Sequence, residues 1–349
     1  MACKAPRREL LRPFAALSAP QCPVAVFRQT SSPELDTALA NLRERIFVPA
    51  HLPKTSKDLI YQSKHHHLLE SESVTATLGD ETHILRPINR TKDEPRTRTA
   101  FHYIISLMRE PSDWDNLVPL LEEIRIAKRR LPIETLERTV RRASQTRRWD
   151  TLLAAARSPK TTGFELRDRK LVLQVLWGLR EEVMAASWED ATTDSTLRRA
   201  EAVCALLDDK EHCGGQQISS SDPRVRPEVV GVLLELAAVR ALRRYGGKDE
   251  DGMVALYVER LEGVWWNLDL ADMKEWKREN ARLWAWVPVW NGLRLAERIL
   301  GPHERVGWVS KARDEVSKYV EKDRDTVRHE AEEGRVPKGL RWLEDAEKL

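Results

Sequence analysis

The chain has 349 residues, of which 41% are hydrophobic and 32% are charged, and its formal net charge is +3. This length allows two or three domains, and 12 tryptophans with only 15 glycines favour a helical protein over a glycine-punctuated α/β enzyme. The most apolar stretch, residues 229–234, ends at Glu235 and is far shorter than the roughly 20 residues that a membrane span needs, so no span is expected.

Residues 1–30 have the composition of a mitochondrial transit peptide, because they are arginine-rich, contain serine and carry a single acid, Glu9. Their basic residues are Lys4, Arg7, Arg8, Arg12 and Arg28. The alternative is a basic arm without a targeting role. The four cysteines lack zinc-binding spacing and are predicted to be reduced thiols, which suits a reducing compartment, either the cytosol or the mitochondrial matrix. They are Cys3, Cys22, Cys204 and Cys213.

Residues 31–96 are predicted to form an extended arm, because five prolines punctuate this segment. Two β-prone pieces, residues 74–78 and 83–85, flank Gly79 and Asp80, and this pattern predicts a short hairpin with its turn at that pair. An isolated hairpin is marginal in water, so we expect the arm to dock on a larger body.

From residue 97 onward the apolar residues follow the helical period, and Phe101, Ile104, Ile105 and Met108 share one face. A second helix is expected after Pro111, capped by Ser112 or Asp113. Further helices are predicted over residues 134–146, 150–157, 167–186, 197–207, 229–244, 253–264, 270–286, 289–300 and 304–333. The helix over residues 229–244 is apolar nearly all round and is expected to be the most buried, whereas the charged residues 301–349 should pack through one narrow face.

An internal repeat is visible between residues 97 and 190. Trp114-Asp115 aligns with Trp149-Asp150 at an offset of 35 residues, and a third copy at Trp188 drifts to an offset of 39. A helix pair repeated at this period cannot bury its own apolar face, so stacked pairs share one core. At these residues the chain resembles the pentatricopeptide repeat family, whose unit is a 35-residue helical hairpin; the tetratricopeptide repeat, at 34 residues, is the near alternative.

The resemblance implies an all-α, right-handed solenoid of helical hairpins, with residues 97–190 as the repeat-like part and residues 191–300 as further, tryptophan-rich hairpins. It also implies an organellar RNA ligand read at two positions of each unit. Those positions hold Tyr103 with Ile133, and Arg138 with Asp168, instead of the small polar pairs usual in the family. We therefore expect contact through shape and charge, as in similar helical-repeat proteins associated with the mitochondrial ribosome.

Positive charge is concentrated in the first half of the chain, since residues 1–160 contain 27 Lys and Arg against 19 Asp and Glu, whereas residues 161–349 contain 31 against 36. Arginine suits phosphate because its planar guanidinium donates two hydrogen bonds at once. The candidate RNA-binding residues are the nine bases of residues 125–148: Arg125, Lys128, Arg129, Arg130, Arg138, Arg141, Arg142, Arg147 and Arg148. The alternatives are a solvated face paired with neighbouring acids, and a contact with an acidic protein surface.

No phosphate-binding glycine loop, zinc-protease motif or nucleophile elbow is present in the sequence, and no catalytic residue or cofactor is predicted. His65, His66 and His67 are consecutive and lack a carboxylate or cysteine at ligand spacing, so no metal site is expected. Six tryptophans within 26 residues have helical spacing that favours core packing, with base stacking or protein docking as alternatives. They are Trp265, Trp266, Trp276, Trp284, Trp286 and Trp290.

Together these patterns predict a non-catalytic protein of mitochondrial gene expression in the matrix, a component or associate of the mitochondrial ribosome. The expected partners are ribosomal RNA or mitochondrial mRNA, contacted through the basic residues, and mitochondrial ribosomal proteins. The alternative is a tetratricopeptide-like adaptor or assembly factor for a mitochondrial membrane complex. That alternative predicts exposed tryptophans in a binding groove and an arginine cluster neutralised by local acids.

Overall fold

The structure is a computed structural model that describes residues 23–71, 73–215, 217–268, 279–302, 305–331 and 336–349. Residues 1–22, which hold most of the predicted transit peptide, lie outside the described residues. Within the described residues helices dominate, and two four-residue strands form a single hairpin. The predicted all-α class is therefore confirmed.

Residues 33–71 are mainly helical, so the prediction of an extended arm is wrong there. Their elements are α1 (Pro33–Leu42), a π-helical turn (Arg43–Phe47), α2 (Val48–His51), α3 (Lys54–Tyr61) and α4 (Ser63–Ser71). Three prolines begin helices instead of interrupting them: Pro33 and Pro49 lie in first turns, and Pro53 is an N-cap. Proline is tolerated at such positions because the first backbone N–H groups of a helix have no helical partner.

A β-hairpin follows, formed by β1 (Thr75–Leu78) and β2 (Glu81–Ile84) in antiparallel register, with Leu78 opposite Glu81. The predicted turn at Gly79 and Asp80 is confirmed, and Gly79 has a φ of 59°, a left-handed conformation that glycine adopts without strain. Leu78 is buried in the main core. The hairpin therefore docks on the helical body, as an isolated two-stranded ribbon must.

The remaining helices form consecutive pairs. They are α5 (Thr97–Leu107), α6 (Pro111–Trp114) and α7 (Leu117–Ile126); α8 (Ile133–Gln145) and α9 (Trp149–Arg157); α10 (Pro159–Thr162); α11 (Arg169–Ala185) and α12 (Asp190–Leu206); α13 (Pro227–Arg244) and α14 (Met253–Val264); α15 (Glu279–Leu300) and α16 (Val306–Glu330); and α17 (Lys338–Glu347). Contacts run from α5 to α8, α8 to α11, α11 to α13 and α13 to α15. Successive pairs are thus joined through their first helices.

The repeated tryptophans contribute to the shared core, because Trp114, Trp149 and Trp188 are all buried in it. Helix α13 is buried on nearly every side, as predicted, and it begins at Pro227 and ends before Gly246. Helix α15 continues through Pro288, where the sequence predicted two separate helices. Packing against α13, α16 and α17 outweighs the one backbone hydrogen bond that proline removes.

The extended residues 23–32 are held against α6 and α7 by buried polar groups. Backbone N–H groups donate from Ala25 to Glu123 (2.7 Å), from Arg28 to Asn116 (2.7 Å) and from Ser31 to Asp113 (2.8 Å). Burial by itself raises the pKa of Asp113, but hydrogen bonds from Ser31, Arg109 and Glu110 outweigh it, so the pKa is lowered. The predicted boundary at residue 30 therefore falls inside a docked segment.

The last helices pack differently from each other. Helix α16 buries a stripe at helical spacing that includes Val309, Val316 and Val320, and this confirms the narrow-face prediction. Helix α17 is held more firmly, because Trp342 is fully buried and the Trp188 indole N–H donates to Asp345 at 2.7 Å. The carboxyl-terminal helix is thereby tied to the turn that follows α11.

Candidate nucleic-acid interface

The nine predicted basic residues lie along α8 and at both of its ends. Arg125 is in the last turn of α7, and Lys128, Arg129 and Arg130 are in the α7–α8 loop; Arg138, Arg141 and Arg142 are on α8, and Arg147 and Arg148 follow it. The 13 residues of α8 span about 20 Å at 1.5 Å per residue. The nine residues thus lie along one helix and at its two ends. The helix is long enough for several phosphates of a nucleic acid strand to lie beside it.

Most of these side chains are free to contact a partner. Seven are exposed, and only Arg142 and Arg148 are half-buried. Arg129 pairs with Glu94 at 2.6 Å, and Arg148 pairs with Asp115 and Asp150 at 3.0 Å each. Arg142 donates to the Gln145 side chain. The other six form no side-chain hydrogen bond or ion pair with any residue in the described part of the chain: Arg125, Lys128, Arg130, Arg138, Arg141 and Arg147.

Two of the basic residues occupy strained backbone positions. Helices α7 and α8 both end in a Schellman motif, in which Lys128 and Arg147 take the left-handed position with φ of 56° each. The Arg129 N–H donates to the Ile124 carbonyl and the Arg148 N–H donates to the Ala143 carbonyl, which closes each motif. Glycine is usual at this position because it has no Cβ. The two cations are therefore placed there despite a backbone cost.

The α7–α8 loop separates two open grooves that share Arg129. One, of about 410 Å³, is lined by Arg125, Arg129, Arg130 and Arg167 and also by the acidic residues Glu165 and Asp168. The other, of about 380 Å³, brings Lys57 and Arg90 to Lys128 and Arg129. Sequence reasoning missed Lys57 and Arg90 because both lie in the segment assigned to an extended arm. Their isolation in sequence gave no charge-cluster signal.

Two of the four positions that would read bases in a pentatricopeptide repeat, Tyr103 and Asp168, form hydrogen bonds within the protein. The Tyr103 hydroxyl hydrogen-bonds with Glu34 of α1, and the Asp168 side chain caps α11 by accepting from the Lys170 N–H at 2.8 Å. Arg138 is exposed and lies beside His102, whose pKa is lowered by burial and by that nearby charge. Tyr103 and Asp168 are thus engaged within the protein.

Comparison with known proteins identifies the family. The family model Mrp13, described as mitochondrial ribosomal protein mS27, matches residues 12–345. The chain belongs to the mS27 family of mitochondrial ribosomal proteins. A relative from Neurospora crassa, named small ribosomal subunit protein mS27, is 30% identical over 228 residues, which cover 64% of this chain and 58% of that relative. The chain thus spans under two thirds of that relative's length.

Membership in the mS27 family confirms the predicted mitochondrial ribosomal protein and the prediction that the chain is not an enzyme. In the described part of this mS27 chain, no cluster of three or more His, Cys, Asp or Glu residues suits a metal ion. None of its described helices combines the length and apolarity needed to cross a bilayer. In the histidine run, the His66 Nε2–H donates a hydrogen bond to the Ile60 carbonyl at 3.1 Å.

The tryptophan-rich region of this mS27 chain is mainly core. Trp286 is buried, Trp284 packs edge-on against Trp177 at 5.8 Å, and the Trp290 indole N–H donates to Ser317. Trp265 packs edge-on against Trp308, whereas Trp266 is 66% exposed. Trp276 lies outside the described residues. Core packing, which the helical spacing favoured, accounts for four of the five described tryptophans fully or in large part: Trp265, Trp284, Trp286 and Trp290.

Proposed function

We propose that this chain is a component of the small subunit of the mitochondrial ribosome, where the basic residues along α8 contact RNA phosphates. The relative's name places that protein in the small ribosomal subunit. Six exposed basic side chains without a partner among the described residues are the observation that carries the RNA contact. Such cations gain by neutralising phosphates, because each contact releases a counterion.

The proposed partners are mitochondrial ribosomal RNA and neighbouring mitochondrial ribosomal proteins, and the proposed compartment is the matrix after import through the amino-terminal segment. Contacts from α5 through α15 support a stack of pentatricopeptide-like hairpins as the architecture. Shape and backbone charge, not base identity, are the proposed basis of recognition. The engagement of Tyr103 and Asp168 inside the protein supports this.

The adaptor alternative required the arginine cluster to be neutralised by local acids. Only Arg129 and Arg148 of the nine form ion pairs with carboxylates among the described residues. Charge compensation from outside the chain is therefore expected, and a polyanion supplies it with the greatest density.

The test compares two triple variants that remove equal charge. Arg138→Gln, Arg141→Gln and Arg147→Gln change exposed residues along α8, and Lys311→Gln, Lys318→Gln and Arg328→Gln change exposed residues of α16. Each variant is imported into mitochondria and followed in sucrose gradients. We expect the α8 variant to leave the small-subunit fractions and the α16 variant to stay in them.

Binding of the purified chains to a single-stranded RNA oligonucleotide is then measured over a range of salt concentrations. Each lost phosphate contact reduces the slope of log K against log salt by about 0.7, so the α8 variant should lose about 2 from the slope. Equal slopes for the α8 variant, the α16 variant and the unaltered chain would refute the RNA contact. Release of the unaltered chain from the subunit by RNase is the further expected result.

A further inference from the structure

A pocket outside the predicted basic segment lies between the amino-terminal helices and the α7–α8 loop. Its volume is about 380 Å³, and four cations line it: Lys57, Arg90, Lys128 and Arg129. Glu94 is the one carboxylate among its lining residues. The pocket therefore brings together side chains from three separate parts of the sequence with a surplus of positive charge.

Glu94 is already occupied by partners within the protein. Its carboxylate accepts from Arg129 at 2.6 Å and lies 4.0 Å from the Arg90 Nε. Burial, with the charge of Glu94, raises the pKa of Tyr61 to about 12, so the hydroxyl stays protonated. One carboxylate cannot balance four cations, and the remaining charge faces the cavity.

Three of the cations already have a contact within the protein before any ligand binds. The Lys57 ammonium donates to the Ala50 carbonyl at 2.8 Å, and the Arg90 guanidinium lies 4.0 Å from the centre of the Tyr61 ring. Arg129 is held by Glu94. Side chains ordered in advance lose less entropy when a ligand binds, so this arrangement favours an anion that several donors contact at once.

The cations also repel one another in the absence of an anion. Burial, followed by the nearby charges of Lys128 and Arg90, lowers the pKa of Lys57. Lys128 is placed in the pocket by a left-handed residue with a φ of 56°, where glycine would be less strained. Strain of this kind is often found at binding sites.

We propose that this pocket binds one phosphodiester group of an RNA strand, with Lys57, Arg90 and Lys128 as direct donors and Arg129 as a positioning residue. The inference rests on the proposed function and extends the RNA-contacting surface onto the amino-terminal helices. A base is a poor occupant, because its edge needs a mixture of donors and acceptors and the free groups here are cationic donors. The Tyr61 ring is covered by Arg90 on one face, which leaves phosphate as the matching group.

The first measurement uses the purified full chain and a 20-nucleotide single-stranded RNA of mixed sequence. Lys57→Gln and Lys128→Gly should each weaken binding about tenfold, the usual effect of losing one charge-assisted hydrogen bond. Lys128→Gly should also keep or raise the Tm, because glycine relieves the left-handed strain. A purely structural role for Lys128 predicts a change in Tm with unchanged RNA affinity, and that result would overturn the proposal.

A double-variant comparison tests whether the donors share one phosphate. Lys57→Gln combined with Lys128→Gly should weaken binding by less than the product of the single effects, because the two residues contact the same group. Arg147→Gly is the matched control, since Arg147 has the same φ of 56° at the end of α8 and is not among the residues that line this pocket. Its effect should multiply with that of Lys57→Gln.

The outcomes separate the pocket from the broader proposal. Unchanged RNA affinity in the Lys57→Gln and Lys128→Gly variants, with a loss of affinity in the triple variant of α8, would refute the phosphate site and leave the proposed function intact. Unchanged RNA affinity in all of these variants would refute both the phosphate site and the RNA contact along α8. Strictly multiplicative effects of Lys57→Gln and Lys128→Gly would also overturn the single-phosphate site, because they would place the two cations on separate groups.

Discussion

Arg180 of α11 and Glu235 of α13 form a fully enclosed ion pair with two parallel hydrogen bonds, of 2.6 Å from Nε and 2.8 Å from Nη2. The same carboxylate accepts from the Asn291 amide of α15 at 2.7 Å. One acidic residue thus joins the first helices of three successive pairs. A buried charge of this kind is tolerated only when its partners satisfy it.

We expect Glu235→Ala to destabilise the chain by about 3–5 kcal/mol, because it leaves the Arg180 guanidinium buried without a counter-ion. The double variant Arg180→Met with Glu235→Leu should lose less than Arg180→Met alone or Glu235→Leu alone, since apolar side chains of similar volume replace an ion pair well. Urea denaturation followed by circular dichroism measures all four variants. A double variant that loses the sum of the single losses would contradict this account of the pair.

Gly231 of α13 permits a close approach to α15. A Cβ at this position would lie 2.4 Å from the Val289 Cγ2 and 2.9 Å from its Cα, so the helices would have to separate. We expect Gly231→Ala to destabilise the chain by about 1–3 kcal/mol through overpacking. Gly263→Ala in α14 is the matched control, because nothing lies within 4 Å of its Cβ position.

The control variant Gly263→Ala should be stabilising by about 0.5–1 kcal/mol, the gain from replacing glycine within a helix. Thermal unfolding of both variants gives the comparison. Opposite signs are the expected result. A neutral Gly231→Ala would show that α13 and α15 can move apart without loss, against the packing described here.

Periodicity along the chain was enough to predict the burial of α13 and to favour core packing in the tryptophan-rich region. It could not predict α1 to α3, because proline at a helix start and proline in a loop look alike in a single sequence. The continuous α15 was missed for a related reason: only its neighbours α13, α16 and α17 show why a helix runs through Pro288. The local sequence pattern therefore identified the core, whereas the helices that it missed depend on tertiary contacts.

The candidate site, like the fold, was only partly predictable from the sequence. Density of arginine between residues 125 and 148 pointed to the basic surface along α8, and exposure of seven of the nine side chains agrees with that expectation. Lys57 and Arg90 joined the α7–α8 loop only through folding, because no sequence pattern connects residues so far apart. Conversely, Arg148 appeared equivalent to its neighbours in sequence, yet Asp115 and Asp150 neutralise it.

Because the pKa of Asp113 is lowered in the folded chain, we expect a loss of stability at acid pH. Its pKa is lower in the folded chain than in the unfolded chain, so its contribution is present above the ordinary carboxyl pKa, about 3.9, and is lost as the pH falls through the folded value. We expect the free energy of unfolding to drop below about pH 4, where protonation weakens the bonds to Ser31. Asp113→Asn should remove part of this drop.

The control for this titration is Asp209→Asn, since the Asp209 side chain is exposed and has no side-chain hydrogen bond within the described residues. Its profile of stability against pH should follow that of the unaltered chain. Urea unfolding at pH 6 and at pH 3.5 gives the comparison. Parallel profiles for all three chains would show that docking of residues 23–32 does not depend on the Asp113 charge.

The docked segment also limits where the proposed transit peptide could be cleaved. Val24 is 4% exposed, and the backbone N–H groups of Ala25 and Arg28 are bonded to buried side chains of α7 and its N-cap. Cleavage after Arg28 would remove these contacts, so we expect the mature amino terminus to lie before Val24. Amino-terminal sequencing of the protein from mitochondria measures it directly. A chain starting at residue 24 should unfold at a higher temperature than one starting at residue 33, because only the longer chain keeps the donors to Glu123 and Asn116. Equal unfolding temperatures, or a mature terminus at residue 31, would contradict a stabilising role for this segment.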